Sequence, residues 1–341
     1  MSKGFKRRGH TGVTSNVLTD RFDRVHNYLR ISLTDRCNLR CTYCMPALGM
    51  QFTRPEHLLT TPEILRLGKL FVGLGVDKIR LTGGEPTLHK DLPDIVSGLS
   101  SLDGLDHLTL TTNALKLPHM AAELKKRGLT GVTISLDSLK PDRFSQIARR
   151  DRIDQALAGI EAAIHAGFSP VKINVVVMAN VNEDEILDFL RWGEDKPVDI
   201  RFIEYMPFPD TGWDKAGFFP YKEMRQRIES VYELTPMDNE PSAVGKGFTV
   251  KNSPMQVSFV TSMSESFCGN CNRLRITADG NIKACLFDDK EKTLRDVMRD
   301  GGSDDDLVQV IGRALQGKPY EHEPMDDLLK KDNRRMVAIG G

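Results

Sequence analysis

Strand-like and helical segments alternate from Tyr28 to Met206, and no other feature of the sequence narrows the choice of folds as much. Six segments show the two-residue hydrophobic alternation of β-strands, and helix-length stretches separate them. The strand-like segments read YLRISLTD, KIRLT, HLTLTTN, GVTISLDS, VKINVVVM and VDIRFIEYM. The helical stretch TPEILRLGKLFVGLG has Thr61 as its expected N-cap. The pattern predicts an α/β fold whose parallel sheet is either curved into a barrel or open and doubly wound.

The strand count stops at six, short of the eight strands of a complete barrel. We therefore predict an α/β fold of the incomplete (βα)6 type, a TIM-like partial barrel, followed by a C-terminal α+β subdomain. The alternation breaks after Met206, and residues 245–287 suggest short strands that carry a second group of cysteines. These changes divide the chain into a flexible leader at 1–20, a core at 21–240 and the C-terminal subdomain at 241–341.

Charge and hydropathy restrict the partners of the protein. The sequence has 47 basic and 47 acidic side chains, so net charge favours neither nucleic acid nor an anionic membrane. It contains no run of eighteen or more apolar residues, which argues against a membrane-spanning helix. The basic N-terminus is similar to a transit peptide but has neither a secretory apolar core nor a clear amphipathic face. We expect a cytoplasmic protein without a nucleic-acid or membrane partner.

The six cysteines fall into two groups of three. They are Cys37, Cys41 and Cys44 near the start, and Cys268, Cys271 and Cys285 near the end. Disulfides suit an even count, but the close spacing within the groups favours metal binding. A structural zinc site usually has four protein ligands, whereas three thiolates on a cubane iron-sulfur cluster leave one iron free for a molecule that is not protein. Zinc, or a complete electron-transfer cluster with a distant ligand such as His107 or His119, remains the alternative.

One face of the strand-like segments is consistently polar. Its members are Arg30, Ser32, Thr34, Lys78, Arg80, Thr82, Thr109, Thr111, Asn113, Thr133, Ser135, Asp137, Lys172 and Asn174. Burying cations such as Arg30 and Lys172 without partners would be prohibitive, so this face predicts a cavity for a polar, anionic molecule. The alternative is the solvated face of an open sheet, although parallel sheets are normally covered on both faces.

The segment TGGEPTL comes directly after the second strand. Gly83 and Gly84 allow the backbone to approach a ligand closely, and Glu85 can accept hydrogen bonds from an ammonium group. The neighbouring strand leads into the first cysteine group. The position of this turn therefore makes it a candidate part of a binding site.

Two motifs resemble those of radical S-adenosylmethionine enzymes. The segment CNLRCTYC has their C-x3-C-x2-C spacing with an aromatic residue before the last cysteine, and GGEP is similar to the motif that holds the cofactor's amino group. The second cysteine group, in CGNCNRLRITADGNIKACLF, and the terminal IGG narrow the resemblance to the GTP 3',8-cyclase family of molybdenum cofactor biosynthesis. The resemblance extends from Val17 to Gly341, nearly the whole chain.

The resemblance implies a lyase that uses two [4Fe-4S] clusters and S-adenosylmethionine and acts on GTP. In the family, the first cluster binds the cofactor and donates an electron, and the resulting 5'-deoxyadenosyl radical removes the 3' hydrogen of GTP. Ribose C3' then attacks guanine C8 to form (8S)-3',8-cyclo-7,8-dihydroguanosine 5'-triphosphate, which starts molybdopterin synthesis. The second cluster holds the guanine end of GTP. No side chain is expected to be catalytic beyond the cluster-bound cofactor.

The resemblance also implies roles for individual residues. The first cluster would be bound by Cys37, Cys41 and Cys44, and the second by Cys268, Cys271 and Cys285. S-adenosylmethionine would contact Tyr43, Gly84, Ser135 and Met206, with Glu85 supporting its ammonium group. GTP would contact Arg30, Lys78, Arg80, Thr111, Lys172, Arg201, Arg273, Leu274 and Arg275. Met206 and Arg201 have opposite strand parity, so a bulge or a strand end is needed for both to face the site.

Family members are expected to insert a Gly-Gly tail into the active site, which corresponds to Gly340 and Gly341. The expected partners are GTP, cyclic pyranopterin monophosphate synthase as the next enzyme of the pathway, a low-potential reductase or flavodoxin, and a second copy of the chain in a homodimer. Two other classes remain open: a peptide-modifying radical maturase with an auxiliary cluster, and an electron-transfer or structural metal protein.

Overall fold

A computed structural model describes residues 17–46 and 50–340 of the chain. Residues 1–16 of the predicted leader and Gly341 of the predicted tail lie outside the described residues. Leu18 and Asp20 of the leader are buried, and Thr19 pairs with Val25 in an isolated bridge. The packed structure therefore includes residues that precede the predicted start of the core.

The strands of the described residues all belong to one twelve-stranded sheet. In chain order they are β1 (Tyr28–Ser32), β2 (Lys78–Thr82), β3 (His107–Thr112), β4 (Gly131–Ser135), β5 (Val171–Val177), β6 (Val198–Glu204), β7 (Leu234–Pro236), β8 (Gly245–Val250), β9 (Gln256–Val260), β10 (Arg273–Ile276), β11 (Asn281–Lys283) and β12 (Lys292–Thr293).

Strands β1 to β6 are parallel neighbours in chain order. β10 pairs in parallel with β1, and β9 pairs in parallel with β6. β11 and β12 extend one edge and β8 and β7 the other, all by antiparallel pairing. The predicted α/β class with a mostly parallel sheet is confirmed. The strands after residue 240 extend this sheet at both edges, and the division into a core and a subdomain stays a prediction.

Eleven helices are present in the part of the chain that the structure describes. They are α1 (Thr61–Gly73), α2 (Leu92–Ser100), α3 (Ala121–Lys126), α4 (Pro141–Ala148), α5 (Ile153–His165), α6 (Ile186–Gly193), α7 (Tyr221–Glu229), α8 (Arg295–Arg299), α9 (Asp304–Gln316), α10 (Met325–Leu328) and α11 (Met336–Ile339). None of them, within those ranges, combines the length and apolar character needed to cross a membrane.

The hydrophobic core lies between the helices and the apolar face of the sheet. Leu29, Ile31 and Ile79 of the central strands are fully buried, as are Leu67 and Phe71 of α1. These strand residues have the parity opposite to the polar positions, as the alternation predicted. Burial of the apolar parity on one side leaves the polar parity on the other side of the sheet.

Helix α1 begins one residue earlier than the sequence indicated. Thr60, and not Thr61, is the N-cap, because Thr60 and Glu63 form a reciprocal capping box. The Thr60 N–H donates to Glu63 Oε2 at 2.7 Å, and the Glu63 N–H donates to Thr60 Oγ1 at 3.4 Å. The predicted cap was wrong because either threonine satisfies the local pattern, and the Glu63 side chain selects the first.

Candidate active site

The polar face of the sheet lines a cavity of about 870 Å³. Its lining includes seven lysine and arginine side chains among the described residues: Arg30, Lys78, Arg80, Lys172, Arg201, Arg273 and Arg275. Thr111 and the three cysteines of the second group also line it. The structure thus brings residues from strands β1, β2, β3, β5, β6 and β10 to one space, as strand parity predicted for the first four of these strands.

The seven lysine and arginine side chains outnumber the five acidic side chains of the cavity lining, which are Asp77, Asp106, Asp199, Asp238 and Glu240. Burial, together with the neighbouring Arg201, lowers the pKa of Lys172 to about 8. Burial also lowers the pKa of Arg30 to about 10. Arg201 has one carboxylate partner, Asp199, with 3.7 Å between Nε and Oδ2. Such a concentration of buried positive charge favours the binding of a polyanion.

Tyr28 lies among these cations and was not among the predicted site residues. The Lys78 ammonium lies 4.8 Å from the centre of its ring, and the Arg80 guanidinium lies 6.0 Å away. Burial raises the pKa of Tyr28, but Arg80, Arg30 and Lys78 outweigh that effect and bring the pKa to about 7. Its parity, two positions before Arg30, was the signal that could have identified it.

Arg80 is held in place by the neighbouring strands. Its Nη1 donates hydrogen bonds to Thr111 Oγ1 at 3.1 Å and to Thr133 Oγ1 at 2.8 Å. Its buried Nε has no hydrogen-bond partner among the described residues. The guanidinium is therefore fixed in position and retains a donor for an anionic ligand.

The first cysteine group lies on the loop that follows β1. Cys37 Sγ accepts a hydrogen bond from the Leu39 N–H at 3.4 Å, and Asn113 Nδ2 lies 3.9 Å away. Burial raises the pKa of Cys37 to about 11 and raises the pKa values of Cys41 and Cys44 as well. The donors around Cys37 are neutral, so this loop would hold its thiolates chiefly through a bound metal.

The Gly-Gly turn after β2 packs directly against that loop. A Cβ on Gly84 would overlap the carbonyl group of Arg36, and a Cβ on Gly83 would come within 2.7 Å of the Thr34 oxygen. The Glu85 N–H donates to the Arg36 oxygen at 2.8 Å. Glycine is required here for close approach of two backbones, which holds the GGEP turn beside the first cysteine group.

Glu85 is almost fully buried and bonded within the protein. Its Oε1 accepts hydrogen bonds from Thr87 N, Thr87 Oγ1 and Thr112 Oγ1, and its Oε2 accepts one from Asn113 N at 2.7 Å. Burial raises the pKa of this carboxyl group. Its hydrogen bonds join the GGEP turn to the end of β3. Its support of a cofactor ammonium group stays a prediction.

The other predicted cofactor residues occupy the same end of the sheet. The Tyr43 hydroxyl donates to Asp137 Oδ2 at 2.7 Å, and Tyr43 also packs against a small apolar cluster. Ser135 is the last residue of β4. Met206 follows the end of β6 and lines the cavity together with Arg201, so the strand end resolves their opposite parity.

The second cysteine group has charged surroundings. Lys318 Nζ donates to Cys271 Sγ at 3.3 Å, and Arg273 lies nearby. Burial raises the pKa of Cys271, but the positive charges of Arg273 and Lys318 bring it down to about 6. Lys318 is 2% exposed. The sequence carried no local signal for Lys318, which lies 47 residues after Cys271.

Leu274 is placed differently from its neighbours Arg273 and Arg275. Its side chain is fully buried in the hydrophobic core on the opposite face of β10. Strand alternation is the cause, because residue 274 has the parity opposite to 273 and 275. A contact of Leu274 with a ligand in the cavity would have to use its backbone.

The C-terminal segment reaches the ends of β1 and β2. Gly340 has a left-handed backbone with φ of 83°, and its carbonyl oxygen accepts a hydrogen bond from Arg275 Nη1 at 3.0 Å. A Cβ on Gly340 would lie 2.5 Å from Thr82 Oγ1 and 2.9 Å from Ser32 Cβ. Only glycine fits this position without a shift of its neighbours. The predicted contact of Gly341 lies outside the described residues.

The donor sets fit iron-sulfur clusters. In the described residues no three Cys, His, Asp or Glu side chains converge as the ligands of a single metal ion do. A cubane does not require that convergence, because each thiolate binds a different iron. Each group offers three free thiols, one at the closely packed GGEP turn and the other beside a buried cation.

Comparisons with known proteins agree with this arrangement. A family model described as Radical SAM superfamily matches residues 31–193, and one described as Molybdenum Cofactor Synthesis C matches residues 198–324. The crystal structure of Streptococcus suis SuiB bound to S-adenosylmethionine has the same fold over 80% of this chain and 65% of that chain, with a TM-score of 0.59 and 16% sequence identity. The mostly parallel sheet and the three-cysteine loop define a radical S-adenosylmethionine enzyme.

Proteins of similar sequence identify the family within the radical S-adenosylmethionine enzymes. Molybdenum cofactor biosynthesis protein 1 of Bos taurus is 50% identical over 331 residues, which are 97% of this chain and 52% of that protein. GTP 3',8-cyclase, mitochondrial, of Arabidopsis thaliana is 47% identical over 328 residues, 96% of this chain and 84% of that protein. The chain belongs to the GTP 3',8-cyclase family. It spans about half the length of relatives such as the bovine protein.

Proposed function

We propose that this protein cyclises GTP to (8S)-3',8-cyclo-7,8-dihydroguanosine 5'-triphosphate, the first step of molybdenum cofactor biosynthesis. The observation that carries the proposal is the meeting of seven lysine and arginine side chains with the second cysteine group in one cavity of about 870 Å³. Cavities of this size are typical of small-molecule sites. The names of the relatives point to the same substrate and pathway.

The triphosphate would be held at the end of the cavity where Lys78, Arg80, Lys172 and Arg201 lie, with Thr111 as a neutral donor. Arginine suits phosphate because its planar guanidinium offers paired donors, and lysine adds point charge. Arg30, Arg273 and Arg275 would bind nearer the second cysteine group, whose cluster would hold guanine. We propose that the sheet forms the predicted partial barrel around this ligand.

The first cluster would be bound by Cys37, Cys41 and Cys44. With S-adenosylmethionine bound, such a cluster supplies a carbon-centred radical that can remove a hydrogen atom from a substrate. The protein's part is to orient the cofactor beside the cavity, through the backbone of Gly84 and the side chains of Tyr43, Ser135 and Met206. Glu85 would support the cofactor's ammonium group by fixing the turn.

The C-terminal segment would close the cavity. Met336 of α11 lines it, and the Gly340 carbonyl oxygen accepts a hydrogen bond from Arg275, which also lines it. Arg334 pairs with Asp279 at 3.0 Å and with Glu291 at 2.7 Å, so the segment is anchored before it reaches the site. Such a cover would exclude water from the ribose where the new bond forms.

We also propose the partners and the location that the sequence predicted. They are a reductase or flavodoxin that supplies electrons, cyclic pyranopterin monophosphate synthase that receives the product, a homodimer and a cytoplasmic site of action. The second [4Fe-4S] cluster on Cys268, Cys271 and Cys285 is also a proposal.

The proposal is tested with anaerobically reconstituted protein, dithionite, S-adenosylmethionine and GTP that carries deuterium at C3'. We expect deuterium in the 5'-deoxyadenosine product, and none when the label is placed at C2'. Formation of unlabelled 5'-deoxyadenosine from 3'-labelled GTP would reject the substrate and favour a radical enzyme of another type. No 5'-deoxyadenosine from protein with full iron content would favour the electron-transfer class.

A further inference from the structure

Lys318 is a buried lysine directly after the C-terminal end of α9. Its Nζ donates hydrogen bonds to Cys271 Sγ at 3.3 Å and to the Arg273 carbonyl oxygen at 3.0 Å. The residue is 2% exposed. An ammonium group in this position has lost its hydration, so it needs a compensating negative charge.

Two other buried cations near the second cysteine group, Arg24 and Lys283, have carboxylate partners. Arg24 pairs with Asp20, with 2.7 Å between Nε and Oδ2. Lys283 lies 3.7 Å from Glu291 Oε1. Lys318 instead donates to Cys271 Sγ and to the Arg273 carbonyl oxygen, and no ion pair joins it to a carboxylate in the described ranges. The charge of Lys318 is therefore matched where Cys271 carries negative charge as a thiolate.

The position of Lys318 is fixed from the other side by Arg24. Nη1 of Arg24 donates to the Cys268 and Tyr320 carbonyl oxygens, each at 2.6 Å, and Nη2 donates to the Pro319 oxygen at 2.8 Å. One guanidinium thus ties the loop that carries Cys268 to the segment directly after Lys318. The contact between Lys318 and Cys271 is part of a rigid arrangement and not the end of a freely moving side chain.

We propose that Lys318 supplies the positive charge that compensates the second iron-sulfur cluster and sets its reduction potential. This inference rests on the proposed second cluster. Lys318 is not among the described residues that line the cavity, so it is a positioning and tuning residue and not a catalytic one.

The direction of the effect follows from charge. A cluster held by three thiolates is negatively charged, and reduction adds one more negative charge. A cation at a ligand sulfur stabilises the reduced form more than the oxidised form, and hydrogen bonds to the sulfurs act in the same direction. Removal of the charge should therefore lower the reduction potential.

The test uses the full chain with Cys37, Cys41 and Cys44 replaced by serine, so that only the second cluster is observed. Lys318→Met, Lys318→Gln and Lys318→Arg are introduced into this background, together with Lys222→Met at an exposed position of α7. The potential is measured by anaerobic titration followed by electron paramagnetic resonance. For Met and Gln we expect about a tenfold less favourable reduction, which for one electron is a shift of about 59 mV to lower potential.

Lys318→Arg and Lys222→Met should keep the potential of the background protein. An unchanged potential in either Lys318→Met or Lys318→Gln would overturn the inference. The charge of Lys318 would then not set the potential of the cluster. Loss of the cluster from Met and Gln but not from Arg would support it, and loss from all three would overturn it. If the background protein itself binds no iron, the proposed second cluster is wrong, and wild-type iron content shows this independently.

Discussion

The two cysteine groups have the same number of thiols but opposite surroundings. In the first group Cys37 accepts a hydrogen bond from a backbone N–H and has the amide of Asn113 close by, and burial raises the pKa values of all three thiols. In the second group Cys271 accepts a hydrogen bond from Lys318, and nearby cations lower its pKa to about 6. The first group lies on a loop outside the cavity lining, whereas the second forms part of that lining.

The difference shows how one ligand pattern can serve two purposes. Glu85 and Asp137 act on the first group against Arg40, so its surroundings do not offset the negative charge added on reduction, and a cluster there would have a low potential suited to cleaving a bound cofactor. A cationic pocket offsets that charge and attracts an anionic substrate to the same place. If the two cysteine groups are independent, a substitution at one group should leave the metal or ligand bound at the other unchanged.

The largest effect is expected from the loss of a single thiol in either group. Cys41→Ser and Cys271→Ser should each lower the iron content from about eight to about four per chain, since each [4Fe-4S] cluster has four irons. Cys41→Ser should abolish the formation of 5'-deoxyadenosine. Cys271→Ser should abolish the formation of the cyclised product from GTP. Iron assay and product chromatography measure both. Loss of all iron from either variant would contradict independent sites.

Replacement of Arg24 should weaken the second group alone. Arg24→Met leaves the buried Asp20 carboxylate without its ionic partner, with only backbone N–H donors, and removes three bonds to backbone oxygens, so we expect a loss of about 3–5 kcal/mol in the free energy of unfolding. Urea unfolding of the iron-free chain measures it. Arg191→Met, which breaks an exposed pair with Asp188, should cost less than about 1 kcal/mol. Equal losses in the two variants would contradict the role of Arg24.

Replacement of Glu85 near the first cysteine group corresponds to replacement of Arg24 near the second. In Glu85→Gln an amide nitrogen must face donors from Thr87, Thr112 or Asn113, so we expect a loss of about 1–3 kcal/mol. The same variant should weaken S-adenosylmethionine binding and leave GTP binding unchanged, as measured by calorimetry. Glu123→Gln at an exposed site of α3 is the control. Weaker GTP binding in Glu85→Gln would show that the two regions are coupled.

The smallest effect is the pH dependence of GTP binding. The pKa of Lys172 is about 8 because of burial and Arg201, and that of Tyr28 is about 7 because nearby cations outweigh burial. As the pH rises from 7 to 9, Lys172 loses positive charge and Tyr28 gains negative charge. A bound triphosphate favours the protonated forms, so affinity should fall, by at most about tenfold per pH unit for each group.

Titration calorimetry at several pH values measures this slope. Lys172→Met should make it shallower, and addition of Tyr28→Phe should remove the rest. Lys222→Met should keep the wild-type slope. S-adenosylmethionine binding should be insensitive to Lys172→Met. An unchanged slope in the double variant would mean that the charges of Lys172 and Tyr28 do not act on the bound triphosphate.

The local sequence pattern was sufficient to predict which face of the sheet a strand side chain occupies, because side chains alternate between the two faces along a strand. Arg30, Lys78, Arg80 and Lys172 were assigned to one face from parity, and the structure places all of them in one cavity. The N-cap of α1 was missed by one residue because two adjacent threonines compete for it. The C-terminal strands were missed as members of the same sheet, because pairing between strands far apart in sequence, such as β1 with β10 or β6 with β9, has no local signature.

The sequence alone determined the α/β alternation, the polar face and the two groups of three cysteines, because these depend on spacing along the backbone. Only the tertiary structure decided what surrounds each thiol. Lys318 meets Cys271 across 47 residues, and Arg24 meets the Cys268 carbonyl across 244. Such contacts depend on how the packed core brings distant segments together, and burial there gives each charge its effect on its neighbours.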